Sequence, residues 1–109
     1  MTGVVMDANE LYFKLTSAGE SWADKQAAYN ILEDTKNAVL AKLMTKSQAT
    51  SVAAKEIEAK ASDEFTAHVK ATQEAMKAAL KAKVNYEAIK IWIDLKRSEE
   101  ATRRAEMKL

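Results

Sequence analysis

The chain has 109 residues, which sets an upper bound of one domain of ordinary size. Its formal charge is +1, from 17 basic and 16 acidic residues, so bulk charge selects no nucleic acid or acidic surface as partner. There is no cysteine and only one histidine, His68, which excludes disulfides and leaves no zinc ligand set.

Proline is absent, glycine occurs only at Gly3 and Gly19, and alanine occurs 21 times. With chain breakers nearly missing and the best helix former dominant, the chain is expected to be all-α. No strand-length alternation and no hairpin dipeptide is present.

A first helix is predicted over 7–17. Asp7 and Glu10 form a variant capping box. Val4, Ala8, Leu11 and Leu15 give one apolar face. Gly19 then offers a left-handed residue to close the helix. A second helix is predicted over 21–45, capped by Ser21 with Asp24 and striped by Trp22, Tyr29, Leu32, Val39, Leu40 and Leu43. It ends where Thr45, Ser47, Thr50 and Ser51 compete for backbone hydrogen bonds.

A third helix is predicted over 50–107, since no proline or glycine interrupts it. Two places invite a kink or break. At "ASDEF", Ser62 can cap a new helix with two acids behind it, and Asn85 is the other weak point. The expected architecture is a single helical domain over 1–109. It is an elongated helical hairpin with a short N-terminal helix and a long C-terminal one. Helix 21–45 cannot cover so long a partner, so apolar surface is left over and a dimer or higher oligomer is expected.

The most patterned stretch is "VNYEAIKIWIDLKRSEEATRRAE", residues 84–106. Val84, Ala88, Ile91, Leu95, Ser98, Thr102, Ala105 and Leu109 keep the four-three spacing of a coiled-coil seam. Tyr86, Ile89, Trp92 and Ile93 lie off that seam yet are large and apolar. Residues 84–95 are therefore hydrophobic almost all round, as in a helix buried on two sides. Val84, Tyr86, Ala88, Ile89, Ile91, Trp92, Ile93 and Leu95 are the expected oligomer interface. One side meets the chain's own hairpin and the other a second subunit.

Lys83, Lys90, Arg97 and Arg104 are seven apart, with Lys96 and Arg103 beside them. These six are the candidate nucleic-acid contacts, because lysine and arginine neutralise phosphates and release counterions. Tyr86 and Trp92 would supply stacking. The plainer reading is a solvated face held by the i,i+4 pairs Lys90–Asp94, Glu99–Arg103 and Glu100–Arg104.

No catalytic residue, cofactor site or metal site is predicted. His68 has no second ligand. No glycine-rich phosphate loop or nucleophile–histidine pattern is visible. Asp63/Glu64 and Glu99/Glu100 are adjacent on a helix and diverge by about 100°. No apolar run approaches the roughly 20 residues of a membrane span. The N-terminal residues lack the basic and apolar regions of a secretory signal. An enzyme is not expected, and the expected location is cytoplasmic.

The stretch "ALKAKVNYEAIKIWIDLKRSEEATRRAEMKL" resembles small helical proteins encoded by phages and prophages among recombination and replication genes. "WADKQAAYNILEDTKNAVLAKLM" has a similar character. "KAKVNYEAIK" is also similar to the oligomeric helical recombination mediators of tailed phages. That resemblance implies an oligomeric accessory factor, with a recombination or replication protein and single-stranded DNA as partners. The alternative is a structural, adaptor or chaperone interaction module that binds no nucleic acid. A secreted helical hairpin of the WXG type fits the length, but no Trp-x-Gly stands near 45–51.

Overall fold

The computed structural model describes residues 7–108. It is all-α, with helices α1 (Ala8–Asp34), α2 (Lys36–Thr45), α3 (Val52–Lys60) and α4 (Asp63–Met107). Val4 and Leu109, placed on helix faces by their spacing, lie outside the described residues.

The helix boundaries differ from the sequence expectation at Gly19 and at Thr35. Gly19 does not end a helix: α1 runs through it for 27 residues, and no glycine among the described residues has positive φ. A Cβ built on Gly19 would stand 3.4 Å from Cε2 of Tyr86, an ordinary contact, so the aromatic ring packs on this position without requiring a glycine. The helix is interrupted later, at Thr35. There the side-chain hydroxyl donates back to the carbonyls of Ile31 (2.8 Å) and Leu32 (3.3 Å), which bends helices. Of the two breaks invited in the predicted helix 50–107, one is present. Ser62 separates α3 from α4, while Asn85 lies inside an unbroken α4.

The starts of α1, α3 and α4 each have a side-chain cap, whereas α2 begins after Thr35 without one. Asp7 Oδ1 accepts from the Glu10 amide at 2.8 Å and caps α1. Ser51 Oγ accepts from the Ala54 amide at 3.1 Å and caps α3. Ser62 Oγ accepts from the Phe65 amide at 3.2 Å and donates to the Ala59 carbonyl at 2.6 Å. One hydroxyl thus closes α3 and opens α4, with Asp63 and Glu64 favourably placed in the first turn.

Contacts divide the chain into two compact units, Met1–Ala23 with Leu80–Leu109, and Asp24–Ala79. In the first, the start of α1 and the second half of α4 run antiparallel. Trp22 meets Lys83 and Tyr86, Gly19 meets Tyr86, and Phe13 and Ile89 line one groove. Ala18 and Ala82 are the buried ones among its described residues. In the second, α2 packs on α3, and His68 Nε2 donates to the Leu32 carbonyl at 2.9 Å. Ala59, Phe65 and Ala79 are buried there, and Ser47 Oγ donates to Glu58 at 2.7 Å.

Candidate interaction site

The site is built on α4, which carries two apolar stripes. The inner one is Phe65, His68, Thr72, Ala75, Ala79, Ala82, Tyr86, Ile89 and Ile93, at strictly alternating three- and four-residue steps. Every member is buried or half-buried. This is a heptad seam, but for much of its length the residues are small or polar. Small side chains bring helices close while burying little area each.

The outer stripe carries larger side chains and is uncovered. Leu80, Val84, Ile91 and Leu95 are 54%, 65%, 61% and 59% exposed. Ala88 completes it and is exposed too. At about 100° per residue the two stripes lie on opposite sides of α4.

The structure therefore divides the eight expected interface residues into two sets. Tyr86, Ile89, Trp92 and Ile93 are half-buried, while Val84, Ala88, Ile91 and Leu95 face solvent. Tyr86 stacks obliquely against Trp22, with ring centroids 5.5 Å apart. The indole Nε1 of Trp22 is buried without a hydrogen-bond partner among the described residues.

The six candidate phosphate-contacting residues are all exposed, but they do not form one free edge. The Lys83 ammonium sits 5.9 Å from the Trp22 ring centroid, and that of Lys90 sits 5.6 Å from the Tyr86 ring centroid. Lys96 pairs with Glu99 at 3.7 Å, and Arg104 with Glu100 at 4.0 Å. Of the pairs expected from spacing, only Glu100–Arg104 forms; Lys90–Asp94 and Glu99–Arg103 do not. Lys90 prefers the tyrosine ring, which leaves Asp94 without an ion pair among the described residues. Arg97 and Arg103 also lack one. They are six residues apart, which places them roughly 120° apart around the helix.

Glu87 and Asp94 stand one residue before the seam positions Ala88 and Leu95, and Glu99 one residue after Ser98. In a coiled coil these are the flanking positions that face a partner. The outer stripe is thus apolar with acidic edges over this stretch.

The spacing of α4 revealed nothing about α1's share in the site. Phe13, 72% exposed, stands beside an open groove of about 940 Å³ whose lining includes Ala18, Asn85 and Ile89. Its neighbour Tyr12 is 70% exposed. The only signal in the sequence was three bulky residues in "ELYFK", one more than a single narrow helix face can hide.

Among the described residues no group of three or more His, Cys, Asp or Glu could hold a metal ion. No described helix is long and apolar enough to cross a membrane. Compared with known proteins, the chain matches no family model, no curated protein and no solved structure.

Proposed function

We propose that this chain is a non-enzymatic helical interaction protein whose outer α4 stripe docks another helix. One observation carries the reading: Leu80, Val84, Ile91 and Leu95 form a continuous exposed apolar stripe on a helix whose opposite face is already packed. A helix apolar on two sides is ordinarily covered on both. The stripe serves self-association and hetero-association alike. We infer a role for such a module beside recombination or replication factors in the cytoplasm; what supports this is the resemblance of residues 79–109 to small phage proteins.

The test compares full-length protein with Ile91→Asp and Leu95→Asp in sedimentation and in affinity purification from the native host. Both positions are exposed, so the variants are expected to keep their helical circular dichroism. Loss of self-association or of a specific co-purifying protein in these variants supports the reading. Identical assembly and identical partners in all three proteins refute it.

Single-stranded DNA contact is a second reading, supported by the two exposed arginines without ion pairs, Arg97 and Arg103. It predicts binding at low salt that weakens steeply as salt rises and is lost in Arg97→Ala with Arg103→Ala. Binding unchanged by that double substitution removes it.

A further inference from the structure

The edges of the outer stripe point to the kind of helix that covers it. We propose that the stripe takes an amphipathic helix of another protein whose flanking positions carry lysine or arginine. This rests on the interaction reading above and adds the partner's chemistry.

The apolar run Leu80, Val84, Ile91 and Leu95 supplies the seam, and the flanking side chains select who may sit on it. Glu87, Asp94 and Glu99 are those flanks. The lysines able to neutralise Glu87 and Asp94 from the same helix are turned away. Lys83 and Lys90 lie over the rings of Trp22 and Tyr86, on the side of α4 that faces α1. Neither Glu87 nor Asp94 has an ion pair among the described residues. Only Glu99 is partly compensated, by Lys96 at 3.7 Å.

A second copy of this chain satisfies these edges poorly. Set parallel and in register, Asp94 of one copy meets Glu99 of the other, a like-charge contact repeated by symmetry. Set antiparallel about the middle of the stripe, Glu87 of one copy meets Asp94 of the other. Lys81 then meets Glu99, so the gain and the loss cancel. A helix with basic flanks meets three acids and a single lysine, so its net interaction is attractive. The apolar seam gives affinity to any amphipathic helix, and the edges rank the candidates.

Two synthetic helices of about four heptads, with identical leucine and isoleucine seams, provide the probes. One carries lysine at its flanking positions and the other glutamate; self-repulsion keeps each monomeric. Binding to the full chain is measured by calorimetry at low and at moderate salt. The lysine-flanked helix is expected to bind about tenfold more tightly than the glutamate-flanked one, with the preference shrinking as salt rises. Glu87→Lys with Asp94→Lys should invert the order. Ile91→Asp should abolish binding of both while leaving the circular dichroism unchanged.

Equal binding of the two probes, or an order that survives the double substitution, overturns the inference. So does a chain that sediments as a dimer, is dispersed by Ile91→Asp and admits neither probe. In that case the occupant is a second copy, and the interaction reading survives without its basic partner. A monomer that binds neither probe defeats both.

Discussion

Gly19 packs on Tyr86 with room for a Cβ. In the middle of α1 a glycine costs about 1 kcal/mol relative to alanine, because it loses more backbone freedom on folding. Its surroundings do not demand the loss. A Cβ there would meet Tyr86 Cε2 at 3.4 Å and Cδ2 at 3.7 Å, ordinary contact distances. Gly19→Ala is therefore expected to raise unfolding stability by about 0.5–1 kcal/mol in urea titration. Gly19→Leu should displace the Tyr86 ring and lower it. Trp22, beside the same tyrosine, offers the converse case. Its ring packs well, but the buried Nε1–H has no acceptor among the described residues, and an unmet donor costs about 1–3 kcal/mol. Trp22→Phe keeps an aromatic body and removes the orphan. It should leave stability within about 1 kcal/mol of the parent, whereas Trp22→Ala should cost about 3 kcal/mol or more. If the two substitutions cost the same, the orphaned donor is not a liability.

At the scale of elements, hydroxyl caps decide where helices stop. Ser62 binds the Phe65 amide and the Ala59 carbonyl together, so Ser62→Ala should cost about 1 kcal/mol and fray the start of α4. Hydrogen exchange at Phe65 and Thr66 reads this directly, and unchanged protection there would count against the cap. The motif was legible in the sequence, because serine followed by two acids is a local signal. Gly19 is ambiguous for the opposite reason: a glycine inside a helix and one that ends a helix look the same until the packing around it is known. Thr35 was silent, since its effect comes from back-bonding within the helix, while His68 draws on the same Leu32 carbonyl from a distant position. The two stripes of α4 show the same asymmetry. The outer stripe stands out in the sequence because it is built of Leu, Val and Ile. The inner stripe passes through His68, Thr72, Ala75, Ala79 and Ala82, residues that register as polarity or helix propensity. Their small size is what allows packing, and hydrophobic spacing alone is blind to it. Which of residues 84–95 face inward was therefore not readable before α1 was in place.

At the scale of the whole chain, thin burial is the dominant fact: among the described residues only Ala18, Ala59, Phe65, Ala79 and Ala82 are buried, and four of these are alanines. An alanine contributes little transfer free energy, so the isolated chain lacks the burial that normally offsets its conformational entropy. Leu80, Val84, Ile91 and Leu95 are each more than half exposed, so occupation of the outer stripe can supply apolar burial that is missing. Binding to the folded state alone then raises stability by mass action, by about 2.7 kcal/mol when the occupant stands at a hundred times its dissociation constant. The melting midpoint should therefore report who the occupant is. If a basic-flanked helix covers the stripe, the midpoint rises with the concentration of that helix and is insensitive to the chain's own concentration. If a second copy covers it, dilution of the protein alone lowers the midpoint, and Ile91→Asp erases the dependence. A high midpoint independent of both concentrations would mean that the outer stripe is stable bare, and the case for a partner would fall with it.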